Sequence, residues 1–307
     1  MRPGAASPDS NQRAWRQAGF GLTPTSMERS ASSSGDLGKI LVGTSAWSDL
    51  GSFYPPGTKS GAQLPFYATQ FPVVEINATY YAIPSRKAVE GWVARTPDSF
   101  VFDVKPPRAL TSTPAVPKGE APEPDADIAS AFAAALEPLA EAGKLGAVTF
   151  QFPPSYRNTP EHHDYLKLLP ELFPGCPISV EFRRLDWLDE EHAGATLNLL
   201  TGAGLSFTMV DEPQIGAGSV PPVYAVTNKR LAIVRFHGRN TETWYDFSGS
   251  GRSRFDWVYT ESELAEWVAK IRQAEAEADA VHVFFNTNED DQGPSNARRL
   301  IAQLQAG

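Results

Sequence analysis

The sequence predicts a single-domain α/β protein, a (β/α)8 barrel of the TIM type. Three observations indicate this fold: eight short β-rich runs, helical patterns that alternate with them, and a patterned length of about 270 residues, close to the size of such barrels. Strands that alternate with helices imply parallel βαβ units. The predicted strands cover residues 40–45, 73–77, 100–105, 146–151, 178–183, 206–211, 231–237 and 281–286.

Helical patterns fill most of the intervals between these runs. The link between strands six and seven, residues 212–230, has no clear helix, so an irregular crossover is expected there. A second long loop is expected after strand seven, over residues 241–259. The predicted helices cover residues 63–70, 85–95, 127–142, 160–172, 190–201, 261–276 and 294–305.

A doubly wound parallel sheet is the alternative fold. Such sheets often carry a glycine-rich phosphate loop, GxGxxG, after the first strand. The corresponding segment here is Gly43-Thr44-Ser45-Ala46-Trp47, which does not match that pattern. The barrel is therefore the preferred prediction.

Residues 1–38 differ in composition from the rest of the chain. They contain 7 serines, 3 prolines and 5 glycines, and their few apolar residues follow no sustained period. A segment of this kind does not bury enough apolar surface to offset the entropy of ordering. We expect a disordered tail, or a translation start placed too early with Met27 as the true start, and a barrel domain over residues 39–307.

Composition excludes several classes of protein. The chain has 307 residues and a formal net charge of −9, which argues against a generally basic protein that coats nucleic acid. Its one cysteine, Cys176, excludes a disulfide framework and a cysteine-based zinc site, and the cytoplasm is the default compartment. The longest apolar runs are far shorter than the roughly 20 residues that cross a bilayer, so no membrane association is expected.

Polar residues gather where the predicted strands end. Side chains alternate along a strand, so Glu75 shares a face with Asn77, Glu181 with Arg183, and Arg235 with His237. The residue inside each pair is apolar and would face the helices, so the polar pairs are expected to face the barrel axis. Because barrel active sites lie at the carboxyl ends of the strands, these residues are the candidate site.

Three of these residues are the candidate catalytic groups: Glu75, Glu181 and His237. A carboxylate and an imidazole across a barrel mouth are able to transfer a proton at neutral pH, and burial of Glu75 would raise its pKa. The structural alternative is a closed, neutral network in which Glu75, Asp103 and Glu181 pair with nearby cations.

Cations near the strand ends predict an anionic ligand, because arginine forks bind phosphate and carboxylate groups. The cations are Lys105, Arg108, Arg183, Arg235, Arg239, Arg252 and Arg254. Aromatic rings nearby are suited to stacking on sugars or bases. The predicted substrate-binding residues are Trp47, Asn77, Tyr80, Tyr81, Lys105, Gln151, Arg183, Asp211, Arg235, Arg239, Asn286 and Asn288.

These residues predict an enzyme that acts by acid/base catalysis on an anionic, sugar-containing substrate, either a sugar phosphate or a phosphodiester in nucleic acid. Two alternatives stay open. One is a non-catalytic protein that binds nucleic acid or nucleotides through the same basic mouth. The other is a metal-dependent isomerase or endonuclease that uses Glu75, Glu181, Asp211 and His237 as ligands, although nearby arginines would repel a cation. Cofactor and oligomeric state stay undetermined.

Short motifs along the chain carry a family resemblance. They include Gly43-Thr44-Ser45 with Trp47, Val74-Glu75-Ile76-Asn77-Ala78-Thr79-Tyr80-Tyr81, Phe150-Gln151-Phe152-Pro153-Pro154, Val180-Glu181-Phe182-Arg183, Val234-Arg235-Phe236-His237-Gly238-Arg239 and Phe285-Asn286-Thr287-Asn288. Together, over residues 40–304, they resemble the YecE-like family, domain of unknown function seventy-two. The resemblance implies a (β/α)8 barrel and supplies no reaction.

Overall fold

The computed structural model describes residues 37–48, 50–112, 123–246, 252–287 and 289–307, with the side chains of 252 and 253 left out. Eight parallel strands pair in chain order and close into a barrel through the contact between the first and the last, which confirms the predicted fold. The strands are β1 (Ile40–Thr44), β2 (Val73–Ile76), β3 (Val101–Val104), β4 (Leu145–Gln151), β5 (Ile178–Glu181), β6 (Ser206–Asp211), β7 (Ala232–Phe236) and β8 (Val281–Phe285).

Helices surround the barrel on its outer side. Among the described residues there is an α-helix after every strand except β6, where the chain crosses to β7 with only a 3-10 turn at Gly216–Gly218. This is the irregular crossover that the sequence predicts. The helices are α1 (Ser60–Ala68), α2 (Arg86–Ala94), α3 (Ala126–Glu141), α4 (Pro160–Leu172), α5 (Ala193–Gly202), α6 (Glu261–Glu277) and α7 (Gln292–Ala306).

Helix α6 shows how the sequence sets a helix and its buried face. Thr260 caps the first turn: its hydroxyl accepts from the Glu263 amide, and the Glu263 carboxylate accepts from the Thr260 amide, which satisfies two amides that have no partner inside the helix. Buried apolar residues then recur at helical spacing, at Leu264, Trp267 and Ile271. The cap and the apolar stripe together fix both the start of α6 and the face that packs on the barrel.

The barrel interior has an apolar lower part. Leu41, Val73, Ala147, Ile233 and Phe284 form a buried cluster separate from the main core between strands and helices. Near this level Asp103 and His282 pair, with 2.9 Å between Oδ2 and Nδ1. Asp103 therefore bonds to a histidine, and not to a cation as in the closed network that the sequence left open as the structural alternative. The reason is depth, because His282 is the second residue of β8, below the strand ends.

A tyrosine completes the seam between β1 and β2, the two strands that share a single pair of aligned residues. The Tyr67 hydroxyl accepts from the Thr44 amide at 2.8 Å and donates to the Val73 carbonyl at 3.0 Å. It thus bridges backbone groups that a longer ladder would pair directly. Gly43 leaves the room for this approach, since a Cβ there would lie 2.0 Å from the Val73 oxygen.

The predicted tail over residues 1–38 falls almost entirely outside the described residues, which begin at 37. In the ranges that are described, none of the helices combines the length and the apolar character that a bilayer crossing requires.

Gly43→Ala is expected to lower the free energy of unfolding by about 3 kcal/mol, because its methyl group would force backbone movement at the β1–β2 seam. Gly61→Ala is the matched control: it lies in α1 with open space around it, and there alanine should raise stability by up to about 1 kcal/mol. Urea denaturation of both variants measures the difference. Equal stabilities would show that the seam tolerates a side chain.

Candidate functional site

The centre of the site is a fully buried arginine between two fully buried carboxylates. Arg235 of β7 donates to Glu75 of β2 through Nη2 at 2.7 Å and to Glu181 of β5 through Nη1, and all three side chains have 0% exposure. With His237, which follows β7, they form what we call the central layer. The contacts cross the barrel, as inward-facing side chains from strands on different sides must.

Glu181 is the most heavily bonded member of the central layer. Besides Arg235, it receives Arg183 Nη1 at 3.2 Å and pairs with His237 Nε2 at 3.0 Å. Burial alone would raise the pKa of Glu181, but the charge of Arg235 and the hydrogen bond from His237 hold it well below its usual range. Glu181 is thus a fixed anion.

The His237 ring is held by partners at both nitrogens. Nδ1 lies 3.2 Å from the amide nitrogen of Asn286, which only donates, so the ring proton belongs on Nε2, facing Glu181. Burial lowers the pKa of His237 to about 3, with the neighbouring Glu181 acting in the opposite direction. His237 is therefore a neutral donor to Glu181 across the neutral pH range.

Glu75 differs from Glu181 in having an oxygen to spare. Its Oε1 accepts from Arg235, while its buried Oε2 has no hydrogen-bond partner among the described residues. Burial raises the pKa of Glu75, and the positive charges of Arg235 and Lys105 counteract only part of that effect. Of the acidic side chains in the central layer, Glu75 is the one suited to gain and lose a proton.

A cavity of about 780 Å³ opens above the central layer, at the carboxyl ends of the strands. Side chains two positions apart on a strand share a face. Asn77 and Arg183, which lie two residues beyond the inward-facing Glu75 and Glu181, therefore form part of the cavity wall. We call this cavity the mouth pocket. Its polar and aromatic lining includes Ser45, Asn77, Tyr80, Tyr81, Lys105, Arg108, Gln151, Arg183, Trp244, Tyr245, Arg254, Phe255 and Asn286.

The charge of the mouth pocket is one-sided. Its described lining carries four cations, Lys105, Arg108, Arg183 and Arg254, and no carboxylate. Arg183 and Arg254 both lie against the Trp244 indole, with guanidinium carbons 4.8 and 5.5 Å from the ring centroid. Burial lowers the pKa of Arg254, and the like charge of Arg183 on the same wall lowers it further. Such a surface favours an anion.

Glu212 balances part of that charge from outside the lining. Its Oε1 accepts from the Val220 amide at 2.8 Å, and its Oε2 lies 3.4 Å from Arg183 Nε. Burial raises the pKa of Glu212 to about 7. The residue links the β6–β7 crossover to the Arg183 side of the pocket.

Two predicted binding residues lie away from the mouth pocket, which corrects the expectation for them. Asp211 aligns with the outward-facing Phe236 and accepts from Tyr259 at 2.8 Å and Trp267 at 2.7 Å, so it faces α6. Arg239 donates to Asp211 at 2.6 Å on the same outer side. The alternation along β6 instead points Glu212 inward, one residue past the predicted strand end, and that signal could have found it.

Trp47 also lies elsewhere. Its ring packs edge-on against Trp92 and Phe102, with centroids 5.7 and 6.5 Å away, between β3 and its surrounding helices. Asn288 and the side chain of Arg252 lie outside the described residues. The structure brings to the mouth pocket seven of the predicted binding residues: Asn77, Tyr80, Tyr81, Lys105, Gln151, Arg183 and Asn286. Their contacts with a ligand stay predictions. The predicted binding residue Arg235 and the three predicted catalytic residues lie buried in the central layer and are not part of the described lining.

The ligand set suggested for a metal is not assembled. Arg235 bonds to both Glu75 and Glu181, and Asp211 faces the opposite way. Across the described ranges, no three histidine, cysteine, aspartate or glutamate side chains come together in a way that could hold a metal ion.

Comparison with known proteins places the chain in a family. The model of a family described as "Protein of unknown function DUF72" matches residues 41–307. The chain belongs to the DUF72 family. This confirms the resemblance carried by the sequence motifs.

DUF72 relatives match over most of their length. The UPF0759 protein YunF of Bacillus subtilis (strain 168) is 33% identical over 270 residues, which cover 86% of this chain and 94% of YunF. The UPF0759 protein YecE of Escherichia coli (strain K12) is 26% identical over 247 residues, which cover 74% of this chain and 82% of YecE.

Crystal structures of DUF72 proteins share the fold. The protein from Enterococcus faecalis V583 superposes with a TM-score of 0.78 at 28% identity, covering 87% of this chain and 95% of the other. The protein from Thermotoga maritima MSB8 gives a TM-score of 0.74 at 30% identity, covering 87% and 99%. The barrel is thus common to these DUF72 proteins.

The His237 imidazole is expected to stay neutral, with its proton on Nε2, until the pH falls to about 3. An unfolded histidine takes up its proton near pH 6.5, so acidification between these values favours the unfolded chain through this group. Nitrogen-15 NMR of the histidine rings measures both tautomer and pKa. His192 is the internal control, because its bond to Asp189 raises its pKa above 6.5. A His237 signal that titrates near 6.5 would contradict the assignment.

Proposed function

We propose that this DUF72 protein is an enzyme that acts on a small anionic, sugar-containing substrate, with Glu75 as the proton-transferring group. One observation carries the proposal. The described lining of the mouth pocket has four cations and no carboxylate, and it lies directly above a buried carboxyl group with an unbonded oxygen. A binding surface for an anion thus lies next to a candidate proton-transfer group: Asn77, two residues beyond Glu75 on the same face, belongs to the lining, and Glu75 lies buried below it.

The anionic group of the substrate is assigned to the wall formed by Arg183, Trp244 and Arg254. Two guanidiniums held against one indole repel each other, so a dianion between them would relieve that repulsion. Guanidinium forks also match the oxygens of a phosphate in geometry. A phosphate monoester is the simplest group that meets both conditions.

The sugar part is assigned to the opposite side of the pocket. Buried Asn77 Oδ1 and Ser45 Oγ have no hydrogen-bond partner among the described residues, and both belong to lining side chains. Hydroxyl groups of a sugar would satisfy such acceptors. Tyr80 and the 85% exposed Tyr81 stand at the rim, where their rings are able to stack on a sugar face.

The two carboxylates of the central layer are assigned different roles. Glu181 and His237 act as positioning residues, because Glu181 bonds to Arg235, Arg183 and His237, and His237 bonds to Glu181 and Asn286. Arg235 in turn holds Oε1 of Glu75 and leaves Oε2 for the substrate. This division narrows the sequence-based expectation, in which Glu75, Glu181 and His237 share the catalytic role.

Glu75→Gln is expected to reduce turnover by about 10² to 10⁴-fold, because an amide does not transfer the proton, while the amide still bonds to Arg235. Phosphorus NMR of the wild-type protein with a panel of phosphorylated sugars and nucleotides identifies the substrate and then measures both variants. Glu171→Gln, on the exposed surface of α4, is the control and should match wild type. Equal rates for Glu75→Gln and wild type would exclude the role, and binding without turnover of any compound would favour the non-catalytic alternative.

Arg254→Gln is expected to weaken binding of a phosphorylated sugar about tenfold, which is about 1.4 kcal/mol, because one charged donor is lost from the pocket wall. Isothermal titration calorimetry measures the affinity. Arg298→Gln removes one positive charge from the exposed face of α7 and should bind as wild type does. If both variants weaken binding equally, net charge and not the pocket explains the attraction.

A further inference from the structure

We propose that Lys105 is a nucleophilic amine that forms an imine with the carbonyl carbon of an open-chain, phosphorylated aldose or ketose. The inference rests on the proposed function and narrows its substrate class to sugars with a free carbonyl. It adds covalent catalysis to the proton transfer assigned to Glu75.

Lys105 stands where an attacking amine is needed. It follows β3 by one residue, shares the inward face with Asp103, and lines the mouth pocket. Its Nζ donates to Gln151 Oε1 at 3.0 Å. In the described part of the chain, no carboxylate lies within ion-pair distance of that nitrogen. The ammonium therefore lacks the counter-ion that usually keeps a partly buried lysine charged.

A shared acceptor places Lys105 beside a permanent cation. The same Gln151 oxygen accepts from Arg235 Nη1, also at 3.0 Å. Lys105 Nζ and the Arg235 guanidinium thus share Gln151 Oε1 as their acceptor. Arginine does not release its proton in proteins, so the repulsion between the two cations lowers the proton affinity of Lys105. Desolvation, and after it the charge of Arg235, lowers the pKa of Lys105 to about 8. A substantial neutral fraction is thus present in mildly alkaline solution.

Lys144 shows the contrasting arrangement of a structural lysine. Its Nζ donates to Val93 O at 2.9 Å, to Thr96 O at 2.8 Å and to Thr96 Oγ1 at 3.2 Å. Three acceptors match the three protons of an ammonium, and the residue does not line the mouth pocket. The chain thus offers a buried lysine of the same kind that should not react.

The reaction balances with water as its sole by-product. The lone pair of the neutral Lys105 amine attacks the carbonyl carbon, so that the C–N bond forms as the C=O π bond breaks. The nitrogen loses one proton and the oxygen gains one, which gives a carbinolamine. Transfer of a second proton to that oxygen releases water, and loss of the remaining N–H proton leaves the C=N bond. Glu75 is assigned to supply and receive these protons. Arg183 and Arg254 hold the phosphate meanwhile.

Reductive trapping on the full chain tests the proposal. The protein is incubated with D-glyceraldehyde 3-phosphate and sodium cyanoborohydride, and the alkylated lysines are located by peptide mass spectrometry. We expect labelling of Lys105 at least about tenfold above that of Lys144 and of the exposed Lys59, with a rise as the pH passes about 8. D-Glyceraldehyde, which lacks the phosphate, should label Lys105 less.

Calorimetry with the same probe distinguishes failure of the imine at Lys105 from failure of phosphorylated-sugar binding. If the probe binds and Lys105 is not enriched over Lys144, the imine is excluded and the anion-binding enzyme remains. If the probe neither binds nor labels, both the imine and the phosphorylated-sugar assignment fall. Lys105→Arg should bind the probe and lose the label. If that variant does not fold, the labelling of Lys105 relative to Lys144 in the wild-type protein still tests the imine.

Discussion

The ion pairs of Arg235 with Glu75 and Glu181 are the constraint on which the rest of the site depends. One guanidinium and two carboxylates are buried completely in the middle of the barrel, and removal of Arg235 would leave both carboxylates without this counter-charge, at a cost of about 3–5 kcal/mol. The same guanidinium sets the orientation of Gln151 and so the place of Lys105. The arrangement of the central layer and the position of Lys105 in the mouth pocket therefore both depend on Arg235.

Above the central layer, the sign of the charge is opposite to that of the whole chain. The chain carries a net charge of −9, yet the described pocket lining is positive. Low-dielectric walls concentrate the field of those cations inside the cavity, so a ligand meets attraction at close range that the overall charge conceals. This field supports the proposed binding of a small anion.

The alternation of strands with helices was enough to predict the barrel. Within each strand, the two-residue period of the side chains predicted the inward-facing Glu75, Glu181 and Arg235. At β6 the prediction followed the polar strand end to Asp211, although the same alternation places Asp211 outward with Phe236 and Glu212 inward. Partners across the barrel were not predictable either. The pairing of Asp103 with His282, and the free oxygen of Glu75, depend on the level at which long side chains from distant strands meet.

The distance along the chain between these partners has a consequence for folding. Arg235 lies 160 residues from Glu75 and 54 from Glu181. A partly folded chain in which β2 has not yet docked lacks one of the two ion pairs of Arg235, which makes such intermediates less favourable than the closed barrel. Closure of the ring should therefore be strongly cooperative, and slow, because contacts of long sequence separation come with a large loop-closure entropy. The ion pairs of the central layer thus also favour the closed barrel over an open one.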